Sequence, residues 1–158
     1  MTILDGKKTA QDLKEEIKVA VSEIKKSGKR PPHLAAVLVG DDGASLTYVG
    51  SKVRSCDYVG FDSTLIKLDE STTEETLLKK IDELNQDDQL DGYIVQLPLP
   101  KHIDEEKILL AIDPTKDVDG FHPSNFGRMA LEMDAFIPAA PCGIIELLER
   151  YKIETSGK

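Results

Sequence analysis

Tyr48 and Lys52 form the first pair of residues whose types and spacing could do chemistry. They lie four positions apart after the turn Gly40–Gly43, so a helix that begins near Ala44 would place both side chains on one face. An aromatic ring stacks well on another flat ring, and a desolvated lysine amine can exchange protons near neutral pH. A surface pair with a hydrated amine would show the same spacing, so the spacing alone leaves both explanations open.

Gln96 and Asp119 are two further polar residues in positions that favour a binding site. Gln96 ends an apolar run and precedes Leu97–Pro100, whereas Asp119 lies before Gly120 in a loop rich in turn residues. An edge strand with its amide in water would explain Gln96, and an Asx-type turn would explain Asp119. Open α/β sheets, however, bind ligands beyond the carboxyl ends of their strands. We therefore expect both residues to lie beside the tyrosine–lysine pair.

The elements that must position these residues alternate between strands and helices. Short apolar runs predict strands, and apolar residues at helical period predict helices. The predicted strands span residues 34–39, 63–68 and 92–97, and residues 2–4 form a strand or an extended lead-in. The predicted helices span residues 7–27, 44–60, 105–112 and 124–131. A further helix follows a capping box at 72–75, and a last helix begins at Pro141. This alternation favours an α/β fold, a three-layer domain with a mainly parallel sheet flanked by helices. It leaves the strand order open.

Composition narrows the class of protein. A chain of 158 residues with 40% apolar and 31% charged residues is ordinary for one globular domain. Its net charge of -9 argues against a nucleic-acid partner. No apolar run approaches the ~20 residues of a membrane helix and no signal-peptide pattern is visible, so we expect no membrane association. Cys56 and Cys142 have neither disulfide-framework nor zinc-ligand spacing, so we expect a cytoplasmic protein without a metal site.

Glycine-rich nucleotide motifs are absent from the sequence. Neither Gly-x-Gly-x-x-Gly nor Gly-x-x-x-x-Gly-Lys-Ser/Thr occurs, and Gly-x-Ser-x-Gly is also missing. We therefore expect no dinucleotide or nucleoside-triphosphate site on this chain. Tyr48-x-x-x-Lys52 also matches the catalytic pair of short-chain dehydrogenases, but that class requires a glycine-rich nucleotide turn near the N-terminus, so the sequence disfavours it.

Four stretches follow one another along the chain: Ile3-Leu4-Asp5-Gly6-Lys7, Ser45-x-x-Tyr48-Val49-x-x-Lys52, Gly92–Pro100 and Lys116–His122. In this order and spacing they resemble the tetrahydrofolate dehydrogenase/cyclohydrolase family over essentially the whole chain. The sequence departs from the family's pattern in two places. Gly43 stands where a proline is common, and Pro138-Ala139-Ala140-Pro141 stands where Pro-Cys-Thr-Pro is common, so that Ala140 lacks a hydroxyl that would cap the last helix. Neither departure falls on a proposed site residue.

The resemblance implies a role for each polar residue at the predicted sheet edge. Tyr48 would stack on the aminobenzoyl ring of a folate, and Lys52 would assist proton transfers when water adds to the methenyl bridge. Gln96 would hydrogen-bond Lys52, and Asp119 would bind the amino and ring N–H groups of the pterin. The implied catalytic residues are Lys52, Gln96 and Asp119, and the implied substrate-binding residues are Tyr48, Val95, Gln96, Leu97, Pro98 and Asp119.

The resemblance also implies a place in folate one-carbon metabolism, including purine biosynthesis. The full-length enzyme would interconvert 5,10-methylene-, 5,10-methenyl- and 10-formyl-tetrahydrofolate as an NADP-dependent dehydrogenase and a cyclohydrolase. Residues 1–140 would form the folate-binding catalytic domain, and residues 141–158 a connector helix and the start of a Rossmann domain. That later domain, absent from this chain, would bind NADP and contribute to a homodimer. The alternative is an isolated folate-binding module without turnover, because hydride transfer needs a nicotinamide.

Overall fold

The computed structural model describes residues 3–157. Within this range three strands alternate with helices, as the sequence predicts. The elements are α1 (Gly6–Lys26), β1 (His33–Val39), α2 (Gly43–Val59), β2 (Asp62–Leu68), α3 (Glu74–Asn85), β3 (Gly92–Val95), α4 (Glu105–Ala111), α5 (Pro123–Ala130) and α6 (Ala139–Arg150). The predicted lead-in at residues 2–4 begins outside the described residues, and residues 3–5 form neither helix nor strand.

The sheet has the strand order β2-β1-β3, and both pairings are parallel. Residues 35–39 of β1 are buried, as are all four residues of β3, because helices cover both faces of the sheet. Parallel pairing brings the carboxyl ends of β1 and β3 to the same edge. The predicted α/β class with a mainly parallel sheet is therefore confirmed.

Alternate residues of the strands pack in two separate clusters. On one face Val37, Tyr93 and Val95 pack in a cluster that includes residues of α3 and α4. On the other face Ala36 and Ile94 pack against Val49 of α2. Because successive side chains of a strand point to opposite faces, Gln96, which follows Val95, belongs to the face covered by α2.

Two predicted helix starts are wrong, for identifiable reasons. Thr73, not Thr72, caps α3, because its hydroxyl accepts from the Thr76 N–H at 3.2 Å, whereas the Thr72 N–H closes a turn on the Asp69 carbonyl. The last helix begins at Ala139 rather than Pro141. Proline is tolerated in a first turn, since the N–H groups there have no partner within the helix.

The other predicted boundaries agree with the structure to within one or two residues. The third strand ends at Val95 instead of Leu97, although the Gln96 N–H still donates to the Val37 carbonyl at 2.9 Å. Proline at position 98 has no N–H to continue the ladder. Gly60, in the left-handed region at φ 87°, ends α2 as predicted.

Candidate functional site

Helix α2 presents Tyr48 and Lys52 at the edge of the sheet. Asp42 caps the helix by accepting a hydrogen bond from the Ser45 N–H at 2.8 Å. Val49 and Cys56 are buried against the rest of the protein. Tyr48 and Lys52 lie on another side of the helix. Tyr48 is 64% exposed. A flat ligand therefore has access to this residue from solvent.

Lys52 lies beside Asp119, as the convergence of loops predicted. The Nζ atom of Lys52 is 3.8 Å from Oδ2 of Asp119, whose side chain is 23% exposed. Burial raises the pKa of Asp119 above its ordinary value, the charge of Lys52 opposes this rise, and the charge of Asp117 adds to it. The structure thus brings together an amine from α2 and a carboxylate from a distant loop.

The loop that carries Asp119 is attached to the sheet. The Tyr93 N–H donates to the Lys116 carbonyl at 3.0 Å, and an isolated parallel bridge joins Tyr93 to Asp117. The loop therefore runs alongside β3 before it turns at Asp119 toward α2. This attachment explains how a segment without helix or strand delivers a side chain to the sheet edge.

Gln96 is directed inward, but its amide does not bond to Lys52. Its Nε2 donates to the Leu97 carbonyl at 2.6 Å. Its Oε1 is buried and, among the described residues, has no hydrogen-bond partner. The Leu97–Pro98 peptide bond that follows is cis. A buried acceptor without a donor costs free energy. A hydrogen bond to this oxygen from a ligand, a water or a rotated Lys52 amine would therefore be favourable.

The apolar residues predicted to wall the site differ in their surroundings. Val95 is 5% exposed and belongs to the core cluster with Leu77 and Ile108, and half-buried Leu97 packs against that cluster. Pro98 is exposed. The Val95 side chain therefore contributes to the core, and a role for these three residues in binding stays a prediction.

Two residues near the site were not assigned a role from the sequence. Asp117 and Asn125 are both 3% exposed, and the Asn125 Nδ2 donates to the Asp117 Oδ2 at 3.0 Å. Asp117 stands in the Lys116–His122 stretch, so its position in the sequence indicated that it could lie at the site. The sequence did not indicate this for Asn125, because a single asparagine between Ser124 and Phe126 looks like an ordinary surface residue.

The remaining surface of the described residues offers less chemistry. An open cleft of about 560 Å³ is lined by Pro114, Thr115, Asn125, Arg128, Asp134, Ala135 and Phe136, and no sequence-predicted site residue lines it. Within residues 3–157 no group of three or more His, Cys, Asp or Glu side chains could hold a metal ion. The helices of this part of the chain are all too short or too polar to cross a membrane.

Comparisons with known proteins agree with the geometry. A family model described as "Tetrahydrofolate dehydrogenase/cyclohydrolase, catalytic domain" matches residues 4–119. "Bifunctional protein FolD" of Flavobacterium johnsoniae is 73% identical over 158 residues, which are 100% of this chain and 54% of that protein. The chain thus spans about half the length of the curated relatives it matches.

Solved structures show the same fold. The crystal structure of the bifunctional FolD methylenetetrahydrofolate dehydrogenase/cyclohydrolase from Campylobacter jejuni has a TM-score of 0.96 and 45% identity, covering 100% of this chain and 56% of the other. The Trypanosoma brucei methylenetetrahydrofolate dehydrogenase-cyclohydrolase, complexed with NADP and an inhibitor, has a TM-score of 0.93 and 30% identity, covering 99% and 54%.

Proposed function

The chain belongs to the tetrahydrofolate dehydrogenase/cyclohydrolase family, and from this premise we propose that it supplies the folate site and the catalytic lysine of that enzyme. The full-length protein interconverts 5,10-methylene-, 5,10-methenyl- and 10-formyl-tetrahydrofolate. The observation that carries the proposal is the approach of Lys52 to Asp119, 3.8 Å between Nζ and Oδ2, at the carboxyl end of the sheet.

The folate lies along the edge between α2 and the Asp119 loop. Its pterin offers amino and ring N–H donors, and the Asp119 carboxylate accepts them in charge-assisted hydrogen bonds. Its aminobenzoyl ring stacks on exposed Tyr48. This orientation places the one-carbon bridge, which lies between the two rings of the folate, near Lys52.

Lys52 moves protons in the cyclohydrolase step. Water attacks the iminium carbon of methenyltetrahydrofolate, a C–O bond forms, and the electron pair of the C=N bond returns to nitrogen. Lys52 in its neutral form accepts the proton of that water and then donates it to the nitrogen that leaves as its C–N bond breaks. The remaining hydroxyl then gives its proton to Lys52, which is neutral again, as the formyl C=O forms, and Lys52 releases this proton to solvent. The positive substrate itself favours the neutral amine, because nearby positive charge lowers the pKa of a lysine.

Gln96 has a supporting role in this proposal. Its buried Oε1 has no donor among the described residues, so it accepts a hydrogen bond from the Lys52 amine or from the attacking water when the site is filled. Such a bond would hold the amine toward the reacting carbon. The proposed catalytic residues are therefore Lys52, Gln96 and Asp119.

The nucleotide part of the reaction belongs to residues beyond this chain. The Trypanosoma brucei relative was solved with NADP, and this chain has no glycine-rich nucleotide motif. NADP therefore binds the part of the full-length protein that lies outside these residues and accepts the hydride of the dehydrogenase step. Residues 1–140 form the folate-binding domain, and residues 141–158 connect it to the nucleotide domain. In this proposal the full-length protein is a cytoplasmic homodimer, and it binds neither nucleic acid nor membrane.

An absorbance assay with this chain tests the cyclohydrolase proposal. Loss of methenyltetrahydrofolate absorbance is followed with the wild type and with Lys52→Ala. We expect a wild-type rate above buffer that Lys52→Ala abolishes, because Lys52 carries the proton transfers of the proposed step, while tetrahydrofolate binding largely survives. Dehydrogenase activity from this chain alone is not expected.

The same assay separates the alternative function. Saturable tetrahydrofolate binding without any rate would identify an isolated binding module, since a site open on one side holds its substrate loosely and a 1 Å misplacement costs about 10²-fold in rate. Turnover that persists in Lys52→Ala would exclude the role of the lysine.

A further inference from the structure

Asp117 is a buried carboxylate two residues before Asp119, and α5 supplies one of its donors. Its Oδ2 accepts hydrogen bonds from the Asn125 Nδ2 at 3.0 Å and from the His122 backbone N–H at 2.8 Å. The Asn125 Nδ2 also donates to the Pro114 carbonyl at 2.8 Å. One buried amide of α5 therefore ties two points of the loop together, and both of its N–H bonds are used.

The turn between Asp117 and Gly120 has little freedom to move. The Gly120 N–H donates to the Asp117 carbonyl at 3.1 Å. Gly120 has φ +70°, and a Cβ there would lie 2.7 Å from the backbone of Ile137 and Pro138. The turn is thus enclosed between β3, α5 and the segment that leads into α6.

Asp119 takes its position from this turn. Within residues 3–157 no hydrogen bond holds its carboxylate, and the nearest cation, the Lys52 Nζ, is 3.8 Å away. We propose that Asp117 and Asn125 are positioning residues, whose buried hydrogen bond fixes the turn and so presents Asp119 to the pterin. This inference rests on the proposed folate site and adds two residues that do not touch the substrate.

The hydrogen bond between Asn125 and the buried Asp117 explains why its removal would displace Asp119. A buried carboxylate is tolerated only while its oxygens are hydrogen-bonded. Without the Asn125 amide, Asp117 would keep one backbone donor, from His122. The turn would then open to hydrate the charge, and Asp119 would move with it.

Equilibrium binding of tetrahydrofolate to this chain tests the proposal. Asn125→Leu, which removes the donors but keeps similar bulk, is expected to raise the Kd by about tenfold or more. Ser124→Ala is the matched control, because Ser124 is the exposed neighbour on α5, and its Kd should stay within about twofold of the wild type. Circular dichroism at the same temperature verifies that each variant is folded.

A double-mutant cycle distinguishes positioning from general damage. If Asn125 acts through Asp119, then Asn125→Leu should change the Kd by less than about twofold in an Asp119→Ala background. If the leucine weakens binding by the same factor in both backgrounds, its effect is independent of Asp119 and the positioning role is overturned.

A second variant covers the case in which Asn125→Leu does not fold. Asp117→Ala removes the buried charge together with the one oxygen, Oδ2, that accepts from both the His122 N–H and the Asn125 amide, so binding should again weaken by about tenfold. A folded Asp117→Ala with wild-type Kd overturns the proposal. A wild-type chain that does not bind tetrahydrofolate overturns the folate site itself, whereas wild-type binding that neither substitution alters overturns only the positioning role.

Discussion

At the residue scale, the site depends on how Asp119 is charged. Burial raises its pKa, and the neighbouring charges of Lys52 on α2 and Asp117 in its own loop act in opposite directions on it. Protonation turns one of the carboxylate oxygens into a hydrogen-bond donor and removes the negative charge. It would therefore weaken the hydrogen bonds that the proposed site makes to the pterin N–H groups.

The affinity for tetrahydrofolate is expected to fall on acidification. Because the pKa of Asp119 is raised, the loss should begin at a higher pH than an ordinary aspartate, with its pKa of about 3.9, would give. Asp119→Asn should bind more weakly at neutral pH and lack this acidic decline. The Kd of both proteins, measured between about pH 4.5 and 8, checks this. Parallel profiles would assign the decline to the ligand's own titration.

At the element scale, Asn85 at the end of α3 joins the segments that lead to the site loop. Its Oδ1 accepts from the Tyr93 hydroxyl at 2.7 Å and from the Asp113 N–H at 2.9 Å. Its Nδ2 donates to the Ala111 carbonyl at 2.9 Å. One side chain thus connects α3, β3, the end of α4 and the first residue of the Asp113–Asp119 loop.

Truncation of Asn85 is expected to destabilise the fold more than removal of the Tyr93 hydroxyl. Asn85→Ala leaves three groups without their partner and should lower the free energy of unfolding by about 2–3 kcal/mol. Tyr93→Phe removes one hydrogen bond, while Asn85 still accepts from Asp113, and should cost about 1 kcal/mol. Urea unfolding of the two variants measures both values. Equal losses would contradict the shared role of Asn85.

At the scale of the whole molecule, α6 differs from the other helices described. It has no buried residue, and Ile144 and Ile145 are 59% and 49% exposed. It is attached to α1 through Arg150, which donates to both carboxylate oxygens of Glu16 at 2.7 Å. Exposed contiguous apolar residues are typical of a surface that another part of a protein covers. This agrees with the proposed connector at residues 141–158.

Charged substitutions on α6 should change surface properties but not stability. Ile144→Glu with Ile145→Glu is expected to reduce the fluorescence of a hydrophobic dye bound to this chain and to shift the melting midpoint by less than about 2 °C, since neither side chain is buried. Leu110→Glu on α4 is the control, with one exposed apolar residue on the other face of the sheet. An equal loss of dye fluorescence in the control would contradict an apolar surface on α6.

Periodic patterns of apolar residues were sufficient to predict the elements from the sequence. The run Leu34–Val39 predicted a buried strand, and Gly92–Leu97 predicted a strand that ends two residues earlier in the structure. Helical spacing predicted α1 to within one residue at each end. Errors arose where capping chemistry decided between neighbours, as at Thr72 and Thr73. Such choices depend on which backbone N–H is already bonded, and a pattern of residue types does not contain that information.

The sequence by itself determined the class of fold and the family, and it predicted Tyr48, Lys52, Gln96 and Asp119 as site residues, because these depend on residue types at fixed spacing. Only the tertiary structure decided the strand order β2-β1-β3, the 3.8 Å approach of Lys52 to Asp119 and the burial of Asp117 against Asn125. Those facts join residues that are far apart in the chain or on separate elements. They depend on packing in three dimensions, which the local periodicity of apolar residues does not specify.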